Sequence, residues 1–323
     1  MALDEFSLIR RYFQGRVATD VLGVGDDAAR LPMPANTQLV VCKDLLIEGR
    51  HFFSDVNPET LGHKALAVNL SDLAAMGAKP VGCLLGLGLR QADPQWLDGF
   101  SRGLLALTEQ SECPLLGGDT VRVKNEIVIS VTALGTLPAG EPGLLRSHAR
   151  PGDDIWVSGY LGAAHVALLG LQADPRITLE YLARVRDALE MPQPRLSLGQ
   201  SLLGVARAAI DISDGLLQDL GHILKASGCG ASIHYADLPV DPRLKGLPSD
   251  LCATAVLTGG DVYELCFTAD TARRDDIVRI GEQLDIPLTR IGMMQEGEGL
   301  DVMDADGKAM AVGCGGFDHF RGA

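Results

Sequence analysis

The chain has little of what most readily announces a function. Its seven cysteines (Cys42, Cys83, Cys113, Cys229, Cys252, Cys266 and Cys314) include no Cys-x-x-Cys and no His-Cys cluster. Neither a disulfide framework nor a thiolate metal site is therefore expected. They read as reduced, mostly buried thiols of a cytoplasmic protein. Basic residues are also short: 28 Lys and Arg face 42 Asp and Glu, a formal net charge of −14, with no Lys/Arg cluster. This argues against a nucleic-acid partner, because a phosphate backbone needs clustered cations. No apolar run reaches about 18 residues, so no membrane-crossing helix is expected. The opening stretch "MALDEFSLIRRYF" lacks the apolar core of a signal peptide. Walker A, Gly-x-Ser-x-Gly, His-Glu-x-x-His and kinase His-Arg-Asp sequences are all missing. The histidines show no ligand spacing, although His51 falls in the same loop as Asp44.

What the chain does have is length and apolar content enough for two domains: 323 residues, 46% hydrophobic. Helical and strand periods alternate, which predicts an α/β or α+β protein. "QLVVC" (38–42) reads as a strand leading into "KDLLIEGRHF". Asn57 and Pro58 then open a helix to about Gly77, and "VGCLLGLGL" is a strand. Asp93 and Pro94 cap a helix striped by Leu97, Phe100, Leu104 and Leu107. "CPLL" is a strand ending in Gly117, Gly118 and Asp119, and "EIVISVTALG" is another. Pro138, Gly140, Pro142, Gly143, Pro151 and Gly152 then interrupt all periodicity, so the domain junction is placed there. The expected division is an N-terminal domain 1–137, a linker 138–149 and a C-terminal domain 150–323. In the second half, helices are expected over about 178–189, from about 198, and over "DGLLQDLGHILKASG". That last helix carries Leu217, Leu220 and Leu224 on one face and Gly228 as C-cap. "AAIDIS" and "VYELCFTA" read as strands and "DVMDADGKAMAV" as a hairpin turning at Asp306-Gly307.

Chemistry is suggested by where the acids fall. "GVGDDAARL" (23–31) has the Gly-x-Gly-x-x-Ala spacing of a dinucleotide turn at Gly23, Gly25 and Ala28, yet it carries Asp26 and Asp27. A carboxylate about 4 Å from a phosphate costs roughly 4 kcal/mol at an effective dielectric of about 20. Magnesium would reverse that sign, taking carboxylate oxygens on one side and phosphate oxygens on the other. Asp27, Asp44, Asp119, Asp211 with Asp214, and Asp261 share one pattern, an apolar element with a carboxylate at or near its end, where ligands of α/β sheets bind. Each alone fits ordinary turn or N-cap chemistry better than a functional role, and it is the five sites together that point to a ligand. Asp72 shares a helical stripe with Leu61, Ala65, Val68 and Ala75, so it points where the apolar residues point. Three readings stay open for it: a metal ligand, a partner for an arginine, or, with Ser71, the cap of a restarted helix. In "DISDG", Asp211 ends a strand while Ser213, Asp214 and Gly215 open a helix whose amides and dipole attract anions.

Six stretches, "GVGDDAARL", "KALAVNLSDLAAMGAKP", "LLGGDTVR", "RSHARPGDDIWVSG", "AIDISDGLLQDLGHILKASGCGA" and "YELCF", resemble the thiamine-monophosphate kinase family of the aminoimidazole-ribotide-synthetase superfamily. The likeness runs in order from "EFSLIRRYF" to "GGFDHF". It implies a two-domain PurM-like fold, an N-terminal domain whose sheet forms a barrel at a homodimer interface, and a C-terminal α/β domain. It also implies ATP as co-substrate, thiamine monophosphate as acceptor and several magnesium ions. On the matching positions, the family's magnesium ligands fall on Asp27, Asp44, Asp72, Asp119, Asp211 and Asp214. Its nucleotide contacts fall on Gly118, Asp119, Arg146 and Ser213, and its thiamine-phosphate contacts on His51, Asp261 and Phe317. Asp27, Asp119, Asp211 and Lys43 are the expected catalytic residues.

The chain departs from the family at two places. Hydroxyl residues usually precede the strand aspartate, where this chain has Cys42 and Lys43, and Gly-Gly-Glu-Asp-Tyr-Glu reads Gly-Gly-Asp-Val-Tyr-Glu, with Asp261 and Val262. Two expectations follow: the Lys43 ammonium stands in for a cation and contacts phosphate, or the chain is a divergent paralogue that binds magnesium-nucleotide with an altered acceptor or little catalysis. Selenophosphate synthetase and the hydrogenase-maturation dehydratase, of the same superfamily, use a cysteine near one terminus. Here the first cysteine is Cys42 and the chain closes on "FRGA", an expectation against both.

Overall fold

Residues 5–24 and 28–310 are described in a computed structural model of the chain. They divide into two units, one holding the chain up to Leu73 together with Ala78–Glu141, the other holding Ala74–Gly77 and the chain from Pro142 onward. None of the described helices is long and apolar enough to cross a membrane.

The first unit is built in the order α1 (Glu5–Tyr12), β1 (Thr37–Ile47), α2 (Pro58–Ala75), β2 (Lys79–Leu89), α3 (Pro94–Gln110), β3 (Leu115–Arg122) and β4 (Val128–Pro138). The caps read from the sequence are in place. Asn57 Oδ1 accepts the Glu59 amide at 3.0 Å, and Asp93 Oδ1 accepts that of Gln95 at 2.9 Å. The four strands form an open sheet in the order β1-β4-β2-β3, which makes β1 and β3 its edges. Strands β1 and β3 run further than expected, so Asp44 and Gly117–Asp119 lie inside strands rather than at their ends. Leu97, Phe100, Leu104 and Leu107 are all buried. Helix α2 is buried on two sides, Leu66, Leu70 and Leu73 on one and Leu61, Ala65 and Val68 on the other. It runs unbroken through Ser71 and Asp72, which removes the restarted-helix reading.

Helices α2 and α3 touch backbone to backbone. A Cβ on Gly103 would stand 1.9 Å from the Glu59 carbonyl oxygen, and one on Gly62 would stand 2.0 Å from that of Phe100. Neither neighbour is a flexible side chain, so the helices would have to separate.

The second unit follows as β5 (Asp154–Ser158), α4 (Ala163–Leu171), α5 (Leu179–Glu190), α6 (Leu196–Ser201), β6 (Ala208–Asp211), α7 (Leu216–Ser227), β7 (Gly230–His234), α8 (Ser249–Thr258), β8 (Leu265–Ala269), α9 (Arg274–Leu284), β9 (Leu288–Gln295) and β10 (Leu300–Met303). Its six-stranded sheet has the order β10-β7-β9-β5-β8-β6. The central strands β5 and β8 are buried on both faces. Ile155, Val157 and Cys266 pack with α7, while Trp156 and Phe267, paired in register, pack on the opposite face with residues of α6 and α9. Asp154, the first residue of β5, is wholly buried and takes the Arg274 fork, Nη2 at 2.8 Å. Asp153 beside it pairs with Arg207 at 3.1 Å.

Three sequence readings shift. The buried stripe of α7 is Leu216, Leu220, Ile223 and Leu224, with Leu217 only partly covered. The "VYELCFTA" strand begins only at Leu265, because Tyr263 is left-handed, with φ +57°. The hairpin around Asp306-Gly307 closes with a single bridge, Met303 to Ala309.

Gly103→Ala tests the helix contact. Alanine is the better helix former by about 1 kcal/mol, yet the clash is expected to lower the unfolding free energy by about 2 kcal/mol. A urea midpoint equal to or above wild type would show that the helices are not in backbone contact.

Candidate active site

In the first unit, Asn69 ties β1 to α2. Its Oδ1 accepts the Asp44 amide at 3.1 Å, and its own carbonyl lies 3.2 Å from Cys42 Sγ. Because strand residues alternate, Cys42 and Asp44 both turn toward α2, where Asp72 meets them. Burial first, then the Asp72 and Asp44 carboxylates, push the Cys42 thiol far up, so it stays protonated within hydrogen-bonding reach of Asp72. Asp72 is thus gathered with Asp44 on one side of the sheet.

Lys43, between them, faces the other side and donates from Nζ to Ser130 Oγ of β4. The alternation of β1 therefore turns Lys43 to the opposite side of the sheet from Asp44. Asp119 is not brought to this group either. The row of Asp44 runs through Val131 and Leu85 to Gly118, whereas Asp119 pairs with Gly86, in the row of Ser130 and Leu45. Three strand spacings separate β1 from β3, about 14 Å. Gly118 is fixed by close approach, since a Cβ there would stand 1.8 Å from the Leu85 carbonyl oxygen. His51, in the turn after β1, accepts the Ile47 amide on Nδ1 at 3.0 Å, which leaves its ring proton on Nε2.

In the second unit, the "DISDG" turn and the "GGDVYE" loop are laced together by main-chain bonds. The Asp261 amide donates to the Ser213 carbonyl, the Tyr263 amide to that of Ile212, and the Ile212 amide to that of Glu264, each at 2.8 Å. Asp261 and Tyr263 are both left-handed, with φ +60° and +57°, and Tyr263 Oη donates to Asp261 Oδ1 at 3.1 Å. For a bulky residue that conformation costs about 1–3 kcal/mol and persists only where the surroundings impose it, most often at functional sites. The lacing places Asp261 against the turn that carries Asp211, Ser213 and Asp214. Arg146 is in the same unit: Leu145 pairs with Ala208 beside β6, and the Arg146 carbonyl accepts from Ser227 Oγ at 2.9 Å.

The amides expected to receive an anion already hold one. Asp219 Oδ2 accepts the amides of Ser213, Asp214 and Gly215, each at 3.0 Å. Burial above all, with the Asp211 and Asp214 carboxylates adding to it, pushes the Asp219 carboxyl up to about 7 against the opposing pull of those amides. The "DISDG" corner is therefore a cluster of three carboxylates, not an open phosphate cradle. Asp219 was missed by sequence reasoning although the stripe test applied to Asp72 would find it: it lies among Leu216, Leu220 and Ile223 on the buried face of α7. A second omission is Glu264, which takes the fork of Arg195, with Nε at 2.7 Å.

Among the described residues, no group of three or more His, Cys, Asp and Glu side chains is arranged to hold a metal ion. Asp27 and Phe317 lie outside the described residues.

Residues 25–137 match the model of the AIR synthase related protein, N-terminal domain. Over its full length the chain is 43% identical to the thiamine-monophosphate kinase of Salmonella typhimurium, with 99% of each sequence covered, and 43% identical to that of Escherichia coli K12, again with 99% of each covered. The chain belongs to the thiamine-monophosphate kinase family. Solved structures agree. The thiamine-monophosphate kinase of Stenotrophomonas maltophilia K279a superposes with a TM-score of 0.85 at 44% identity, covering 96% of this chain and 99% of that one. AaThiL, complexed with AMPPCP and TMP, gives 0.77 at 29% identity, with 99% of each chain covered. E. coli HypE, a hydrogenase maturation protein, shares the fold alone, at TM-score 0.75 and 21% identity over 95% of each chain. The mixed α/β PurM-like architecture of the thiamine-monophosphate kinase family is therefore that of both units described above.

If Asp219 holds this family's "DISDG" turn, Asp219→Ala leaves three amides without their acceptor and is expected to cost about 2–4 kcal/mol of stability. Asp219→Asn keeps one acceptor oxygen and should lose about half as much. Chemical denaturation measures both, and equal midpoints for Asp219→Ala and wild type would refute the tether.

Proposed function

We propose that this protein transfers the γ-phosphoryl group of ATP to thiamine monophosphate, giving thiamine diphosphate, by direct in-line transfer. The observation that carries the reading is the 43% identity to thiamine-monophosphate kinases over 99% of the chain. The AMPPCP and TMP complex of AaThiL supports ATP and thiamine monophosphate as the two ligands.

The donor set suits magnesium. Asp44 with Asp72, and Asp211 with Asp214, present hard carboxylate oxygens, and the second group is crowded enough to raise Asp219. Magnesium usually binds one or two protein carboxylates plus substrate phosphates, so a closed cage of three side chains is not required. Asp27, Asp44, Asp72, Asp119, Asp211 and Asp214 are the residues that would hold several such ions, whose chemistry is to neutralise two polyanions so that they can meet. The chain supplies positioning. The Gly118 backbone, Asp119, Ser213 and the Arg146 guanidinium are assigned to the nucleotide, and His51, Asp261 and Phe317 to the acceptor. A phosphate acceptor is largely ionised near pH 7, so no strong general base is needed. Residues 1–137 form the nucleotide- and metal-binding domain in this reading, 138–149 the linker and 150–323 the second domain.

The homodimer is part of the same proposal. The sheet face away from α2 exposes Leu39 (53%), Val41 (54%), Leu45 and Ile47 of β1, Leu84 of β2 and Val121 of β3. A contiguous apolar face of this kind on an open sheet calls for a partner. Closing two such sheets into a barrel lays β1 of one protomer beside β3 of its partner. Asp119, in the row of Leu45, then faces the barrel lining, whereas Asp44 faces α2. Lys43 then belongs to the barrel lining.

Two measurements test these statements. Purified protein given ATP, magnesium and thiamine monophosphate should form thiamine diphosphate, and Lys43→Thr should keep the magnesium dependence of wild type. No thiamine diphosphate would defeat the kinase reading, leaving the magnesium-nucleotide-binding paralogue. Light scattering on the purified protein should give twice the mass of one chain, and Val41→Glu on the exposed face should shift it toward the mass of one chain. A single-chain mass for wild type would defeat the homodimer.

A further inference from the structure

The "GGDVYE" loop runs into β8 through Glu264, a buried carboxylate held from three directions. Arg195, the residue before α6, forks onto it through Nε at 2.7 Å and through Nη2. Ser158, the last residue of β5, donates to it from Oγ at 2.5 Å, and the same Oγ accepts the Leu265 amide at 2.9 Å, where β8 begins. Gly159, left-handed at φ +60°, leaves the space the carboxylate fills: a Cβ there would stand 2.0 Å from Glu264 Oε1. The Glu264 main chain in turn carries the "DISDG" turn, since its carbonyl receives the Ile212 amide at 2.8 Å.

A buried ion pair adds little net stability, because desolvating both charges offsets their attraction; its best-attested use is to select one conformation over its rivals. The conformation that needs selecting lies next to this pair. Asp261 and Tyr263 are left-handed, which bulky residues adopt only where the surroundings impose it. Packing alone does not impose it here, because Val262 between them lines a cavity of about 370 Å3 together with Arg195 and Glu264. We propose that Arg195 and Glu264 are positioning residues which, with Ser158, hold residues 261–263 in the strained conformation that presents Asp261 to its ligand. Only the identity of that ligand as the phosphoryl acceptor rests on the kinase reading.

Hydrogen exchange on the full chain reads the loop directly, because the Asp261 and Tyr263 amides are bonded to the Ser213 and Ile212 carbonyls. The double variant Arg195→Met, Glu264→Gln removes both charges at nearly constant volume, a change that buried pairs tolerate without unfolding. It is expected to speed exchange at those two amides about tenfold or more. The amides of Ser213, Asp214 and Gly215, which Asp219 holds independently, should stay within about twofold of wild type. Arg195→Lys keeps the charge but loses the fork, and should speed the same two amides about threefold; it decides alone if the double variant does not fold. In the same samples KM for thiamine monophosphate should rise about fivefold or more while KM for ATP stays within about twofold. Exchange within about twofold of wild type at Asp261 and Tyr263 in the folded variants overturns the proposal. Acceleration spread evenly through α7 and β8 does so as well, being the mark of a pair that only stabilises the fold, and so does faster loop exchange with both KM values unchanged. If wild type forms no thiamine diphosphate, the kinase reading fails and the exchange result by itself decides the positioning role.

Discussion

The structure depends most on a carboxylate that never leaves the protein. Asp219 gathers three consecutive amides onto one oxygen and so fixes the turn on which Asp211, Ser213 and Asp214 stand. Charged hydrogen bonds of this kind are among the strongest available. They are formed here in a buried corner, beside two further carboxylates that favour the protonated acid. The result is a turn that is rigid but electrostatically unfinished. Asp153 and Asp154 show the alternative. They too are buried aspartates at a sheet end, but arginines from β9, α9 and the segment before β6 neutralise them, and their role ends with holding the unit together. A neutralised acid pair and a crowded acid triad look alike in sequence, and only the company each keeps separates scaffold from site.

A second constraint is the width of the first sheet. Two carboxylates can share one magnesium only when their oxygens come within about 4–5 Å, since each lies about 2.1 Å from the ion. Asp44 and Asp72 approach the same side of the sheet, one from a strand and one from the helix packed on it, and both act on Cys42. Asp44 and Asp119 cannot share one ion, because β4 and β2 lie between their strands. The apolar face that the same sheet leaves open, with Leu39, Val41 and Leu45, lies on the side away from α2 and so away from Asp44.

Much of this was legible in the sequence where a single local rule decides. The stripe of α2 placed Asp72 among apolar residues, the caps at Asn57 and Asp93 started their helices, and Gly228 ended α7 in the left-handed conformation. Period-two alternation alone, applied to Cys42, Lys43 and Asp44, also separates the lysine from its neighbours. Strand order is not local, and that is why Asp119 seemed equivalent to Asp44: both follow apolar runs, and nothing in either run says which edge it will occupy. Asp219 was obscured for a different reason. The charged tip of "DISDG" carries the local motif, while the residue that organises it sits one turn into the following helix and looks like a polar interruption of a leucine face.

The "GGDVYE" loop shows how these constraints meet. The segment has the composition of a strand, and β8 does begin three residues after Val262, but Asp261 and Tyr263 are held left-handed by bonds to Ser213 and Ile212. That conformation is unfavourable for tyrosine by itself, so the energy that maintains it comes from the turn, and the turn in turn is held by Asp219. Val262 reaches the cavity wall because its two neighbours are so constrained, and Glu264, two residues on, carries the Arg195 pair that closes the same wall. Loosening the amide tether would therefore alter not only where the carboxylates stand but also the shape of a cavity that none of them lines. The carboxylate turn and the Arg195–Glu264 pair are thus coupled through four residues of backbone.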